Sequence, residues 1–233
     1  MCFSPEASFA GGVIILAIGV ATVTKVHKPS QLVFACIPLF FGIQQITEGI
    51  LWISFPLSEH YYLQKIATYT FLIMADVLWP TLIPISVLLM ERNKKKRKYL
   101  WILFGIGSSL SLYYASCLII FHVTPQIECY HIHYVNDFPK SMSMITTLIY
   151  LIATIPPLFI SSIKRTHILG ILMALSCLVT AIFFTQYLTS VWCFFAALIS
   201  GVIFWILRDS KREFKFKKLK ELEQLVIDKL HSK

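Results

Sequence analysis

Seven apolar stretches, each about 20 residues long, follow one another along this chain of 233 residues. A helix of that length spans the hydrocarbon core of a bilayer, which is about 30 Å thick. Hydrophobic residues make up 57% of the sequence and charged residues only 14%, too apolar a balance for a soluble domain of this size. The sequence therefore predicts an all-α polytopic membrane protein with seven transmembrane helices, at 7–24, 32–55, 62–90, 99–121, 142–160, 167–187 and 189–207.

Two parts of this pattern are irregular. The third span contains Pro80 and Pro84, and because proline cannot continue the helical hydrogen-bond ladder, we expect this helix to tilt, kink or stop early. The sixth and seventh spans meet at residues 185–190, which leaves almost no connecting chain. The sequence predicts either a very tight turn or a broken helix there.

Basic residues divide unevenly between the two ends of the predicted helices. Nineteen of the 21 Lys and Arg residues lie in the loops after spans one, three and five or in the C-terminal tail, and only Lys65 and Lys140 lie at the opposite end. Because cytoplasmic loops collect Lys and Arg, we expect these loops and the C-terminus inside and the N-terminus outside. The first base, Lys25, follows the first apolar stretch, so no signal peptide is predicted.

The C-terminal part, 208–233, has a different pattern from the transmembrane domain at 1–207. Between 210 and 231, apolar residues recur at helical spacing among Lys and Glu, namely Phe214, Leu219, Leu222, Leu225, Val226 and Leu230. This pattern predicts a basic amphipathic helix that either lies on the anionic inner leaflet or docks on a partner, including a second copy of the chain. The topology and this tail account for the net charge of +9, and we predict no nucleic-acid partner.

Two carboxylates, Glu48 and Asp76, lie inside predicted spans. A carboxylate costs on the order of 3 kcal/mol or more to place in hydrocarbon, so both residues face the bundle interior and mark a candidate site. Gln44, Gln45, Glu48 and Trp52 share one face of the second helix, with Glu48 roughly 10 Å below its outer end. Amide groups and a carboxylate on one face are typical of an ion-binding or ligand-binding site.

Asp76 lies near the middle of the third span, and Pro80 follows four residues later. Because Pro80 has no N–H, the carbonyl of Asp76 itself loses its helical donor. A free carbonyl beside a carboxylate indicates a cation or proton site in a polar cavity open toward the outer side, and Gln186 completes the candidate ligand set. The alternative is that both acids are protonated and only hold neighbouring helices together through hydrogen bonds.

Histidines and cysteines collect at the predicted outer ends. His122, His131 and His133 could hold Zn, although histidines in a loop without a ligand role fit the same spacing. Cys2, Cys129 and Cys193 are expected near the outside, as a disulfide or paired thiols, with Cys2 and Cys193 as the favoured pair. The seventh span contains no lysine, so a retinal Schiff base is excluded.

Several short runs resemble an uncharacterised family of bacterial membrane proteins. The opening Met-Cys-Phe-Ser at 1–4, followed by Ala-Ser-Phe at 7–9, is similar to the start of that family. The run Gly-Ile-Gln-Gln-Ile-Thr-Glu-Gly at 42–49, the Trp-Pro pair at 79–80 and the run at 191–197 are similar to its other signatures. The resemblance implies a multi-pass protein of the bacterial inner membrane, and it implies no activity because the family's function is unassigned.

Three classes of function remain for such a chain. A pathway or sensor for an ion or solute explains the buried carboxylates and the irregular third span. A membrane-embedded, metal-dependent hydrolase would use Asp76 with the outer histidines, but those histidines lie outside the spans. A non-catalytic assembly or partner protein needs no site at all.

Overall fold

The computed structural model of the chain describes residues 4–55, 61–128, 131–183 and 187–210. Seven helices in these residues are long and apolar enough to cross a bilayer, so the chain is a multi-pass membrane protein, as predicted. They are α1 (Pro5–Val23), α2 (Pro29–Ser54), α3 (Tyr61–Met90), α4 (Lys94–Ile120), α5 (Ser143–Ile160), α6 (Lys164–Phe183) and α7 (Leu188–Ser210).

Helix α3 is regular only at its two ends. A wide π-helical turn, Ile73–Leu78, separates the α-helical part Tyr61–Leu72 from the part Trp79–Met90. In a π-register, the N–H of each residue bonds the carbonyl five residues back, so Pro80 withholds a donor from Ala75. The sequence predicted a missing donor at Asp76, which holds for an α-register. In the wide turn, the carbonyl that lacks a backbone donor is therefore that of Ala75, one residue earlier.

A two-stranded β-hairpin between α4 and α5 was not predicted, and it is an addition to a mostly helical chain. Strand β1 (Val123–Glu128) pairs antiparallel with β2 (His131–Asn136). Ile132 and Tyr134 of β2 are buried, and the Tyr134 ring stacks on Phe71 of α3 with centroids 5.0 Å apart. These apolar contacts hold the hairpin against the helices. We call this end of the bundle the hairpin end and the opposite one the basic end.

The core has two parts. The larger cluster fills the half of the bundle near the basic end and includes Phe34, Leu88, Leu100, Leu158 and Ile206. The smaller cluster lies beneath the hairpin and includes Leu51, Phe71, Leu118 and Ile132. The bundle is therefore packed tightly at the basic end, and the candidate site lies between the two clusters.

The boundaries near the C-terminus differ from the predicted ones. Helix α6 ends at Phe183 and α7 begins at Leu188, whereas the predicted spans ran to 187 and from 189. Helix α7 continues to Ser210, three residues past the predicted domain boundary at 207. Gln186 and the predicted tail helix beyond Ser210 lie outside the described residues.

A single carboxylate joins two loops at the basic end. Glu91 follows α3 directly and accepts hydrogen bonds from the backbone of Arg92, Asn93 and Ser162 and from the Ser162 hydroxyl, at 2.6–2.9 Å. Burial raises the pKa of Glu91, but the hydrogen bonds from Asn93, Ser162 and Arg92 outweigh it and hold the pKa below its usual value. The ionised carboxylate therefore stabilises the contact between the α3–α4 and α5–α6 loops.

Replacement of Glu91 by glutamine is expected to lower the unfolding free energy by about 2–3 kcal/mol at pH 7, because charge-assisted hydrogen bonds are lost. The pKa is lower in the folded protein than its usual 4.5, so the stabilisation is complete above that value and disappears as the pH falls through the folded pKa. Denaturant titration in detergent between pH 7 and pH 3 measures the difference from wild type. A difference that does not shrink at acid pH would contradict this account, and Asp137→Asn, in an exposed loop position, is the control.

Candidate functional site

The candidate site centres on Asp76, in the wide turn of α3. Asp76 is 15 residues from the start of a 30-residue helix, which places it at half the depth of the bundle. Its side chain is only partly buried, and it lines two adjoining cavities. Asp76 lies within the wide turn, and such turns inside α-helices are frequent at functional sites.

The larger cavity has a volume of about 620 Å³ and extends from Asp76 to the hairpin. Hydroxyl and amide side chains supply most of its polar lining: Tyr113, Tyr114, Asn136, Ser143, Thr146, Thr147, Tyr187, Thr189 and Ser190. None of the described residues that line it is Lys or Arg, and Asp76 is its only carboxylate. We call it the outer cavity; its polar lining consists of one carboxylate, hydroxyl and amide groups, and the imidazole of His133.

A second cavity of about 150 Å³, the inner cavity, continues from Asp76 toward the middle of the bundle. Tyr150, Trp192 and Cys193 line it, and the same three residues line a small void of about 20 Å³ beyond it. Another void of the same volume follows, between Ile37, Leu158 and Ile203 among others. Successive cavities share lining residues, so they form a series from the hairpin end into the packed core.

Side chains from two other helices hold the wide turn in place. The Tyr150 hydroxyl of α5 donates to the Ala75 carbonyl at 2.7 Å, and the Ser111 hydroxyl of α4 donates to the Val77 carbonyl at 2.6 Å. These donors satisfy carbonyl groups on either side of Asp76, one of which Pro80 leaves without a backbone donor. Asp76 therefore sits on a fixed backbone, as a preformed site requires.

Glu48 lies close to this site but behind its wall. It is fully buried, and its Oε1 accepts a hydrogen bond of 2.5 Å from Ser190 of α7. Ser190 lines the outer cavity, whereas Glu48 lines none of the cavities described above. We expected Glu48 and Asp76 to line one polar cavity, whereas among the cavities described above Asp76 lines two and Glu48 is linked to one of them through the Ser190 hydroxyl.

The other residues on the predicted face of α2 are buried as well. Gln44 accepts a hydrogen bond of 2.9 Å from Trp79 Nε1, which fixes α2 against α3 three residues from Asp76. The Gln45 amide and Trp52 Nε1 have no hydrogen-bond partner among the described residues, and neither side chain lines the outer or the inner cavity. The structure thus gives Gln44 a supporting position and leaves the ligand-binding role of Gln45 and Trp52 as a prediction.

Cys193 lies deeper than predicted. It is the sixth residue of α7, about 8 Å from the start of that helix, and it is buried against the inner cavity. Its surroundings include Gln44, Glu48 and Asp76, so it belongs to the site and not to the outer rim. Cys2 and Cys129 lie outside the described residues, and their pairing with Cys193 stays a prediction.

The histidines lie at the hairpin end. His131 and His133 alternate along β2 and both rings contact Tyr187, with centroids 4.7 and 5.9 Å away. His133 Nδ1 is 3.3 Å from Glu128 Oε2, across the hairpin, whereas His122 is exposed beside the end of α4. In the described part of the chain, no group of three His, Cys, Asp or Glu side chains is arranged to hold a metal ion.

Several residues of the site were not predicted from the sequence. Tyr114, Tyr150, Ser111 and Ser190 carry hydroxyl groups, which are frequent in membrane helices and give no signal on their own. The run that contains Trp192 and Cys193 stood out only through its resemblance to other proteins. Contacts between distant helices assemble these side chains, and spacing along one helix does not reveal them.

Comparison with known proteins gives one result. No curated protein and no solved structure matches the chain. A family model described as "Family of unknown function (DUF6629)" matches residues 1–217, which is nearly the whole chain. This confirms the predicted resemblance to an uncharacterised family. The chain therefore belongs to the DUF6629 family, whose function is unknown.

Proposed function

We propose that the protein is a carrier for a small monovalent cation, with a site that opens at the hairpin end. The observation that supports this best is the position of Asp76, at the junction of a polar outer cavity and a series of smaller internal cavities. An ionisable residue at the middle of a membrane protein is typically part of a substrate or ion pathway.

The charge of the lining favours a cation. Asp76 is the only carboxylate among the described lining residues, and no Lys or Arg side chain lies there to neutralise it. Hydroxyl groups of Tyr114, Thr147 and Thr189 line the same two cavities, and their oxygen lone pairs can bind a cation. An anion would meet the repelling charge of Asp76, and His133 is the only basic side chain among the described lining residues.

The arrangement of the cavities favours transport over sensing. The outer cavity is wide, and the voids beyond the inner cavity have room for about one water molecule each. The packed cluster that includes Leu88, Leu100 and Ile206 closes the basic end. A site reached from one end and closed at the other is the geometry of one state of an alternating-access carrier.

The charge distribution supports an orientation for this carrier. We place the hairpin end and the N-terminus outside and the basic end, with the tail on anionic lipid, in the cytoplasm of a bacterial inner membrane. Reporter fusions at residue 95 and residue 233 should both score as cytoplasmic. A periplasmic signal from either fusion would contradict the orientation.

Purified protein in sealed liposomes tests the proposed function. We expect uptake of a monovalent cation, assayed in turn with Na⁺, K⁺, ammonium and alkylammonium ions, to exceed uptake by empty liposomes. Asp76→Asn should abolish the excess. Binding of a cation without uptake would reject the carrier and favour a sensor, and the absence of any binding that depends on Asp76 would reject both.

A further inference from the structure

The inner cavity differs in chemistry from the outer one, although Asp76 lines both. Of the 12 residues that line the inner cavity, seven carry no side-chain oxygen, among them Leu151, Cys177 and Trp192. One of the remaining hydroxyl groups, on Tyr150, is already bonded to the Ala75 carbonyl. The inner cavity is thus an apolar compartment with a carboxylate at its mouth.

A bare inorganic cation is a poor occupant for such a compartment. Hard metal cations bind through six or more oxygen ligands in proteins, and the inner cavity offers few of them beside Asp76. Its aromatic lining is better suited to an organic ammonium group. Tyr114, Tyr150 and Trp192 all line it, and the Tyr150 and Trp192 rings pack edge to face with centroids 5.6 Å apart. Aromatic rings attract ammonium groups electrostatically, and they also provide apolar surface for an alkyl chain.

We propose that the site binds a primary alkylammonium ion, with the ammonium group at Asp76 and the alkyl chain in the inner cavity. This inference rests on the proposed function, because it requires Asp76 to bind a cation. The outer cavity is then the polar entrance to the site. The size and shape of the inner cavity determine which alkyl chains on the ammonium group can bind. Each methylene group buried there should raise affinity about fourfold.

The test is a binding series on the full-length protein in detergent, with n-butylammonium, ammonium, Na⁺ and n-butanol as probes. Because n-butyl adds four carbon groups, we expect n-butylammonium to bind on the order of 250-fold more tightly than ammonium, and we expect n-butanol and Na⁺ to bind weakly. Leu151→Trp should remove the preference for n-butylammonium over ammonium by filling the inner cavity. Leu148→Trp, one turn earlier and exposed, is the matched control and should bind as wild type does.

A tryptophan at position 151 could disturb packing, so Cys177→Leu, a smaller change in the same cavity wall, is a second variant. It should also weaken the preference for n-butylammonium over ammonium. Equal affinity for ammonium and n-butylammonium, with binding that still depends on Asp76, would overturn the inference and leave the cation site standing. Binding of n-butanol as tight as that of n-butylammonium would also overturn it, because the pocket would then be merely apolar. No binding of any probe cation would overturn the inference, and if K⁺ also failed to bind it would overturn the proposed function as well.

Discussion

Asp76→Asn is expected to weaken cation binding by about 100-fold or more and to abolish uptake into liposomes. Asparagine keeps the shape of the side chain and one oxygen acceptor but removes the charge. Loss of one partner from a buried charge pair costs about 2–5 kcal/mol, and 2.7 kcal/mol corresponds to 100-fold in affinity. Because the Ala75 and Val77 carbonyls are held by Tyr150 and Ser111, the backbone of the wide turn should be unchanged.

Titration calorimetry and uptake measurements on the same preparations check this result. Asp137→Asn removes a carboxylate from an exposed position after β2 and should behave as wild type does. If Asp76→Asn retained uptake within a few fold of wild type, Asp76 would be a structural group and the cation site would lie elsewhere. Equal melting temperatures for the two variants would show that the loss of binding is not a loss of folding.

Gly107→Ala is expected to be the most destabilising small substitution in the bundle. A methyl group at Gly107 of α4 would lie 1.9 Å from the Pro80 carbonyl oxygen and 3.4 Å from Ala153 Cβ. The first contact is with backbone, which no side-chain rotation relieves, so α4 would have to move away from α3. We expect a loss of about 3 kcal/mol or more in the free energy of unfolding, which is at the upper end for overpacked sites.

Gly105→Ala is the matched control, two residues earlier on the same helix, because nothing lies within 4 Å of the added methyl group. Alanine favours a helix over glycine by up to about 1 kcal/mol, so Gly105→Ala should be neutral or slightly stabilising. Thermal unfolding in detergent and yield in the membrane fraction compare the two variants. Equal stability of Gly107→Ala and Gly105→Ala would mean that α4 is not in close contact with Pro80.

The seven helices were predictable because the pattern that defines them is local. An apolar run of sufficient length and its flanking charges predict a span whatever its neighbours are. The hairpin was missed because nothing in the local pattern of its two six-residue strands distinguished them from a loop between spans. Its stability comes from burial of Ile132 and Tyr134 against α3, which is a tertiary contact.

The two carboxylates were predictable as interior residues because the cost of exposure to lipid applies to any fold. Their separate positions were not predictable. The wide turn at Ile73–Leu78 and the pairing of Glu48 with Ser190, 142 residues away in the chain, decide which acid reaches a cavity. Neither the helix register nor the partner can be derived from the spacing of residues on α2 or α3 alone.

The wide turn of α3 also determines how the two ends of that helix are oriented about their common axis. A π-turn amounts to one residue inserted into an α-helix, and one residue corresponds to a rotation of about 100°. The face that Tyr61–Leu72 presents to the hairpin is therefore offset from the face that Trp79–Met90 presents to α4. Pro80 follows the C-terminal end of the wide turn, and because it has no N–H the π-helical hydrogen bonds cannot continue past it. Deletion of any one residue from Ile73–Leu78 would remove this offset. The part of α3 near the hairpin would then be rotated about the helix axis relative to the rest of the bundle.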